Sequence, residues 1–276
     1  YHSVFVVIVG VSGKKSVEND VLSEERKNSI RALLKGIETG DPESVKVVNP
    51  EKYIQHNPET HEGGEGLATL FKRLSKTSPK VNIPRIFSDG DFVFGHTEYD
   101  FGTSRIGFEV FRFEGDMTVE HWDNIQSRKG PNASGRSMVD GHVQVLDLDK
   151  TEENKKIVND FIKNIIINNE MDKITTYINP TKYIQHNPAV ADGLDGFGNA
   201  MKYFAKNGLV MKYDKIHMVL GQGNFVLAVS EGKFGKGDHT AYYDLFRIEK
   251  GQIVEHWDVI STIPAESEWK NKNGKF

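Results

Sequence analysis

The chain has 276 residues, no cysteine and a formal net charge of −4 at pH 7, with 37% hydrophobic and 27% charged residues. This length fits two medium-sized domains, and the dispersed basic residues argue against nucleic acid or an anionic membrane surface as a partner, because either would require a basic patch. The absence of cysteine excludes disulfides, thiolate metal sites and a cysteine nucleophile, and no run reaches the roughly 18 apolar residues of a membrane span.

Residues 4–11 form a short apolar run near the start of the sequence. Two interpretations remain open, a first β-strand or the remainder of a secretory signal, and the strand is favoured because no basic segment precedes the run. The sequon Asn132-Ala133-Ser134 is compatible with secretion. The location therefore stays open between the cytoplasm and a secreted or periplasmic state.

Two motifs occur twice and define the domain organisation. K-Y-I-Q-H-N-P stands at 52–58 and again at 182–188, and V-E-H-W-D stands at 119–123 and again at 254–258. A spacing of this size matches a duplicated domain rather than a solenoid repeat. The predicted divisions are an N-terminal extension or strand (1–22), a first domain (23–127), a linker (128–150), a second domain (151–264) and a polar C-terminal tail (265–276).

Each copy begins with a helical pattern and continues with strand patterns. An amphipathic helix starts at Ser23 and stops at Gly40, and its counterpart starts at Thr151. A short second helix follows. The seven-residue motif K-Y-I-Q-H-N-P, here called the shared heptad, is then expected to be extended, and a third helix follows at 67–74 or 197–204. Four strands complete the second copy, at 211–220, 225–231, 239–248 and 252–260. Helices followed by hairpins predict an α+β domain whose helices cover one face of a curved antiparallel sheet and close a pocket.

Strand alternation selects the first candidate site residues. In E-H-W-D, His256 and Asp258 point to one face, opposite Glu255 and Trp257. If that face is the pocket, Asp258 is a general acid or base and His256 a proton carrier, although a purely structural role is an equal alternative. The first domain offers His121 and Asp123 on the same terms.

A second carboxylate is expected among aromatic side chains. Asp244 alternates with Tyr242 and Phe246, which are candidate ligand-binding residues, and burial there would raise its pKa. Its counterpart is Glu109. Glu231 is a further candidate, with a solvated strand end as the alternative.

The shared heptad supplies a histidine and an amide in each copy. His186 and Asn187, with their first-domain equivalents His56 and Asn57, could hold a substrate carbonyl or a developing enolate. A structural hydrogen-bonding role for each histidine is the alternative.

The motifs Y-I-Q-H-N-P, G-N-F-V at 223–226, D-L-F-R at 244–247 and E-H-W-D together resemble the SnoaL-like polyketide cyclase family of the nuclear transport factor 2-like superfamily. The resemblance covers nearly the whole chain, twice, and implies two tandem cone-shaped α+β domains. It does not imply one reaction, because the superfamily includes cyclases, isomerases, dehydratases and binding modules.

No metal or cofactor site is expected. The histidines of the shared motifs lack H-x-x-x-H or H-x-H spacing, and the G-x-G at 221–223 lies between strands, where it indicates a hairpin turn. Two hypotheses remain: a cofactor-independent enzyme acting next to a carbonyl, and a carrier for a small apolar ligand.

Two expectations concern the pair of domains. The faces that carry Tyr243, Leu245 and Val110 are too apolar for water, so the two sheets should pack together as an internal pseudo-dimer, with further homo-oligomers open. The first domain departs from the shared pattern more, with Glu109 in place of Asp244. The second domain is therefore expected to carry the activity or the tighter binding.

Overall fold

The computed structural model describes the backbone of residues 2–276 and the side chains of residues 20–276. Helix α1 runs from His2 to Thr39 and ends where Gly40 adopts a φ of +68°. The backbone of residues 4–11 lies in this helix, so the strand favoured by the sequence is wrong. In the part of the chain that the structure describes, no helix has the length and apolarity needed to span a membrane.

The first domain follows the predicted order of helices and strands. Helix α1 leads into a 3-10 turn at Pro42–Val45, a short strand, a second helix and four long strands. Their bounds are β1 Ile54–Gln55, α2 Gly63–Ser75, β2 Lys80–Asp89, β3 Phe92–Asp100, β4 Ser104–Glu114 and β5 Met117–Ser127.

The second domain repeats this order. Helix α3 (Thr151–Phe161) continues as a π-helical turn at Ile162–Ile167, and a 3-10 turn follows at Met171–Thr176. The remaining elements are β6 Ile184–Gln185, α4 Gly193–Lys206, β7 Val210–Gln222, β8 Phe225–Gly235, β9 Asp238–Glu249 and β10 Gln252–Thr262. The four strands predicted here are confirmed, with bounds that extend by a few residues.

Each domain contains one five-stranded sheet with the same topology. The strand order is β1-β5-β4-β3-β2 in the first sheet and β6-β10-β9-β8-β7 in the second. The four long strands are antiparallel, whereas the short strand of the shared heptad pairs in parallel with the last strand, so that Gln55 lies beside His121 and Gln185 beside His256. This parallel pairing joins the two repeated motifs at one sheet edge.

The helices of each domain pack on the concave face of its sheet. Ile30, Leu33, Leu34 and Ile37 of α1 are buried against the first sheet, as the helical spacing predicts. In the second domain the buried stripe is formed by Val158, Phe161, Ile162 and Ile165. These are the α+β cores expected from the sequence.

The opposite faces of the two sheets pack against each other. A third core lies between the domains and buries Val110 with Tyr243, Leu245 and Trp257. Asn124 of β5 donates to the carbonyls of Ala241 (3.0 Å) and Val259 (2.9 Å) across this interface. The predicted sheet-to-sheet pseudo-dimer is confirmed.

Two irregular segments cross between the domains. Residues 128–147, here called the linker strap, lie over the second domain, and residues 263–276, the tail strap, lie over the first. Trp257 donates to Asp140 of the linker strap (2.8 Å), and Trp122 donates to Phe276 of the tail strap (3.1 Å). The segment predicted as a polar tail is therefore part of the folded first-domain surface.

Candidate functional site

The second domain encloses a cavity of about 500 Å³ between the helices and the concave sheet face. Aromatic and aliphatic side chains form most of its wall, and none of its described lining residues is Lys or Arg. The apolar lining includes Phe161, Ile162, Ile166, Phe197, Ala200, Met201, Phe204, Met211, Phe234, Phe246 and Ile260. A cavity of this size suits a small, largely apolar molecule without an anionic group.

Three titratable side chains converge on one wall of the cavity. Asp244 comes from β9, and His256 and Asp258 come from adjacent positions on the same face of β10, as strand alternation predicts. His256 Nε2 lies 2.8 Å from Asp244 Oδ1 and 3.9 Å from Asp258 Oδ2. The antiparallel register aligns Asp258 with Asp244, which brings the two carboxylates to one imidazole.

Gln185 fixes the orientation and protonation of His256. Its Oε1 accepts the backbone N–H groups of His186 (3.0 Å) and Asn187 (2.9 Å), which identifies this atom as the amide oxygen. His256 Nδ1 lies 2.8 Å from the same oxygen and must therefore donate. The Nε2 atom is left to share its proton with Asp244.

The charge state of His256 follows from its partners. Burial lowers the pKa of His256, but the hydrogen bond with Asp244 and the charges of Asp258 and Asp244 outweigh burial and raise it above the usual range. Tyr213 donates to the other Asp244 oxygen at 2.7 Å. Asp244 and His256 thus form a fixed ion pair on the cavity wall.

Asp258 is the carboxyl group most suited to proton exchange with a ligand. Burial raises its pKa to about 6, against the attraction of His256 and with a contribution from the charge of Asp244. Asn187 Nδ2 donates to both of its oxygens, at 3.1 and 2.9 Å. A carboxyl group with a pKa close to neutrality can both accept and return a proton.

Tyr183 adds a hydroxyl donor to the same wall. It lines the cavity, and its hydroxyl oxygen accepts from Gln185 Nε2 at 3.2 Å. Among the described residues its own proton has no acceptor, and burial raises its pKa, so that the hydroxyl stays protonated. This O–H is available to the oxygen of a ligand.

The first domain contains the same arrangement around a much smaller cavity of about 70 Å³. His121 Nε2 lies 2.7 Å from Glu109 and 3.8 Å from Asp123, and its Nδ1 lies 2.7 Å from Gln55 Oε1. Asn57 donates to Asp123 at 2.9 Å. The chemistry of the wall is therefore duplicated, whereas the space in front of it is not.

Electrostatics in the first domain follow the same causes. Burial, together with the charge of Asp123, raises the pKa of Glu109 to about 7. Burial lowers the pKa of His121, but its hydrogen bond with Glu109 outweighs this effect and raises it. The two domains therefore hold similar carboxylate–imidazole pairs.

One hydrogen bond of the two sites comes from different strands. Tyr213 of β7 donates to Asp244, but Tyr99 of β3 donates to Glu109, also at 2.7 Å. Tyr213 faces Gly232 across its strand pair, whereas Tyr99 faces Val81. The tyrosine therefore stands on neighbouring, paired strands in the two domains, whereas its hydroxyl donates to the equivalent carboxylate, Asp244 or Glu109.

The prediction that His186 and His56 face the pockets is wrong. His186 stacks on Trp257, with ring centroids 4.8 Å apart, and pairs with Glu255 at 2.7 Å on the opposite sheet face. His56 repeats this arrangement on Trp122. The heptad alternates so that Gln185 and Asn187 line the cavity, and a structural hydrogen bond to Glu255 or Glu120 accounts for the recurrence of the histidine.

Two other predicted ligand-binding residues lie outside the cavity. Glu231 accepts from His217 (2.7 Å) and His239 (2.6 Å) away from the lining residues, so its predicted contact with a ligand is wrong. Tyr242 is buried behind the wall, where it stacks on Tyr213 at 4.0 Å. Asn187 and Phe246 do line the cavity, as do Asn57, Glu109, His121 and Asp123 in the first domain.

Sequence reasoning missed Gln185, Tyr183 and Tyr213. The parallel pairing of the heptad with the last strand places Gln185 beside His256, and that pairing was the missing signal. Tyr213 lies on β7, whose pairing with β8 shifts register between Tyr213 and Lys215, and local alternation does not reveal such a shift.

Each trio of carboxylates and histidine is close enough for a divalent cation, with ligand atoms within 4.8 Å of one another. In the second domain, however, His256 Nε2 is paired with Asp244 and both Asp258 oxygens accept from Asn187. The hydrogen bonds already satisfy these groups, so the donor set does not call for a metal.

No protein-family model and no curated protein match the sequence. Similar solved structures include an LEH-like epoxide hydrolase from M. tuberculosis, with 20% identity over 38% of this chain and 84% of that chain and a TM-score of 0.34. IdmH from Streptomyces antibioticus, a proposed polyketide cyclase, has 16% identity over 37% of this chain and 91% of that chain, with a TM-score of 0.33. An NTF2-like protein of unknown function from Burkholderia xenovorans has 15% identity over 40% and 89%, with a TM-score of 0.35.

These neighbours carry different names, and the alignment with each covers less than half of this chain. At this level of identity and TM-score they identify neither a substrate nor a reaction. The architecture of two α+β domains is established by the strand order and helix packing of the chain itself.

Proposed function

We propose that the protein is a cofactor-independent acid–base enzyme that acts next to a carbonyl group of a small, largely apolar molecule, with the second domain as its active domain. The observation that carries the proposal is the position of Asp258, a buried carboxyl group with a pKa of about 6, on the wall of an apolar cavity of about 500 Å³. Cyclisation, isomerisation and dehydration all require such a group.

The proposed reaction starts with proton removal by Asp258. The carboxylate takes a proton from the carbon next to the carbonyl, and the C–H electrons move into the carbonyl to give an enolate. The Tyr183 hydroxyl donates a hydrogen bond to the developing oxyanion. Delivery of the proton from Asp258 to a different carbon of a conjugated enolate completes an isomerisation, whereas its delivery to a departing β-hydroxyl, which leaves as water, completes a dehydration.

His256 and Asp244 support this step without contacting the reacting carbon. The imidazolium lies 3.9 Å from Asp258 and stabilises its carboxylate, while Asp244 and Gln185 hold the ring. Without His256, the carboxyl group would become a stronger base that is less often ionised. The trio thus sets the pKa of Asp258 close to the working pH.

A carrier is the second candidate function. The hydrogen bonds that satisfy Asp258, Asp244 and His256 within the protein are those expected of a wall that binds a ligand without reacting with it. A carrier with Asp258→Asn would keep its ligand, whereas an enzyme would lose rate far more than affinity.

The test uses exchange of carbon-bound protons in D₂O. Wild-type protein and Asp258→Asn are incubated with the neutral ketone 2-tetralone, deuterium incorporation is followed by NMR, and binding of the apolar dye Nile red is measured in parallel. The proposal expects exchange above the buffer rate in the wild type, a loss of about 10²-fold or more in the variant, and unchanged dye affinity. Dye binding without catalysed exchange in the wild type would favour the carrier.

A further inference from the structure

The linker strap of residues 128–147 reaches the site of the second domain, and its buried Asn132 makes the most direct contact with it. Asn132 is 6% exposed, and its Nδ2 donates to the carbonyls of Gln185 (2.7 Å) and Val190 (2.9 Å). Its Oδ1 accepts the N–H groups of Ser134 (3.1 Å) and Arg136 (2.9 Å), which fixes the turn of the strap. These bonds leave no room for a glycan on Asn132, although the residue begins a sequon.

The linker strap also fixes the backbone N–H of Gln185, through Asp192. Gln185 N–H donates to Asp192 Oδ1 at 2.9 Å, and the other Asp192 oxygen accepts from Arg136 at 3.0 Å. Ser134 Oγ accepts the Asp192 N–H at 2.9 Å. Both backbone polar groups of Gln185 are therefore fixed, directly or through Asp192, by residues of the linker strap.

Gln185 in turn holds His256 through its side chain, at 2.8 Å from Nδ1. We propose that Asn132 of the linker strap is a positioning residue for the second-domain site, acting through Gln185 on His256. The segment between the two domains thus contributes to this site. Neighbouring Ala133 itself lines the cavity, which places the strap at the wall as well as behind it.

The tail strap of residues 263–276 makes the corresponding contacts on the first domain with two side chains: Asn271 donates to the carbonyls of Asn57 (2.7 Å) and Thr60 (2.9 Å), and Asn273 holds Gln55. Asn273 Nδ2 donates to the Gln55 carbonyl (2.9 Å) and to Glu62 (2.7 Å), while Gln55 N–H lies 3.4 Å from Glu62. Gln55 Oε1 then holds His121 Nδ1 at 2.7 Å. Asn273 therefore matches Asn132 in its contact with the glutamine carbonyl, and it serves as the control for the first domain.

The test reads the two histidines separately in the full-length protein. Asn132→Ala and Asn273→Ala are prepared with ¹⁵N-labelled histidine, and the imidazole Nδ1 resonances of His256 and His121 are assigned with Gln substitutions at those two positions. Asn132→Ala is expected to move the His256 resonance towards that of a solvent-exposed histidine and to leave His121 unchanged. Asn273→Ala is expected to do the reverse.

A second variant protects the test against loss of folding. Asn132→Asp keeps the oxygen that accepts from Ser134 and Arg136 and removes the amide donors, so it is expected to move the His256 resonance while the turn persists. Unchanged His256 resonances in both Asn132 variants would overturn the proposal, as would equal changes at His256 and His121. Unfolding of both variants would also overturn it, because the strap would then support the fold rather than the site.

The inference rests on the proposed function only in taking His256 as part of the active site. The NMR readout needs no substrate, so a protein without catalysed exchange but with the expected resonance changes would refute the proposed function and leave the positioning role intact. Unchanged His256 resonances in the Asn132 variants of a protein that catalyses ketone proton exchange would refute the positioning role and leave the proposed function intact.

Discussion

Asp258→Asn is expected to make the protein more stable at neutral and alkaline pH. A buried carboxylate whose folded-state pKa is raised opposes folding whenever it is ionised. Asp258 is 6% exposed, and its pKa rises from 3.8 to about 6. An asparagine of nearly the same shape removes the charge and still presents an oxygen to the Asn187 amide.

The size of the effect follows from this shift. A difference of about two pKa units, at about 1.4 kcal/mol each, corresponds to about 3 kcal/mol of lost stability in the wild type at pH 8. The pKa of about 6 already includes the attraction of His256, but the variant loses one of the two hydrogen bonds from Asn187, so the expected gain is about 1–3 kcal/mol. Gains of this kind at a polar site are typical of groups kept for function.

The stability difference between the two proteins depends on pH. Because the folded pKa lies above the unfolded value, the stability contributed by protonated Asp258 is fully present below pH 3.8 and is lost as the pH rises through about 6. The advantage of the variant should therefore grow by about 1 kcal/mol between pH 5 and pH 8. Titrations common to both proteins cancel in the difference.

The assay is urea unfolding of both proteins at pH 5 and pH 8, with circular dichroism and tryptophan fluorescence as independent probes. The reasoning would be refuted by a variant that is less stable than the wild type at pH 8, or by an advantage that shrinks as the pH rises. Either result would mean that the carboxylate stabilises the fold.

Three further outcomes are expected. Ala200→Leu, which introduces the side chain found at the equivalent first-domain position, should fill the cavity and weaken Nile red binding by tenfold or more; unchanged affinity would place the ligand elsewhere. Tyr183→Phe should lower catalysed exchange by about 10²-fold while Tyr53→Phe leaves it unchanged, and equal effects in kinetic assays would remove the oxyanion role of the second-domain hydroxyl. Glu255→Gln should cost about 3 kcal/mol in urea unfolding, because it leaves the buried guanidinium of Arg247 with the more exposed Glu249 as its remaining carboxylate, and Glu120→Gln, at a more exposed pair, should cost clearly less; equal costs would contradict this.

The repeated motifs allowed much of the fold to be predicted from the sequence. Strand alternation placed His256 and Asp258 on one face, and the apolar residues Tyr243 and Leu245 correctly indicated the sheet-to-sheet contact. These predictions succeeded because they depend on local periodicity and on burial, both of which the sequence displays directly.

The remaining features depend on contacts between distant segments. The short strand at Ile184–Gln185 could have faced either way until its parallel pairing with β10 was known, and the resulting error placed His186 in the pocket. The role of Asn132 depends on a strap that crosses to the other domain, 53 residues from its partner Gln185. No local pattern encodes such a crossing.

The difference between the two cavities was also only partly predictable. The substitution of Glu109 for Asp244 suggested unequal domains, but this exchange preserves the hydrogen bonds to His121 and a tyrosine. The difference in volume, about 70 against 500 Å³, accompanies different lining side chains, such as Leu70 in the first domain where Ala200 stands in the second. Packing of this kind becomes visible only in three dimensions.

The most direct test of the central claim is a comparison of catalysed ketone exchange in Asp258→Asn and Asp123→Asn. The two substitutions remove equivalent carboxylates, each hydrogen-bonded to an asparagine and close to a histidine, from cavities of about 500 and 70 Å³. With both variants shown to fold by circular dichroism, Asp258→Asn should lose activity by about 10²-fold or more, whereas Asp123→Asn should retain most of it. Equal losses in the two variants would contradict the assignment of the active site to the second domain.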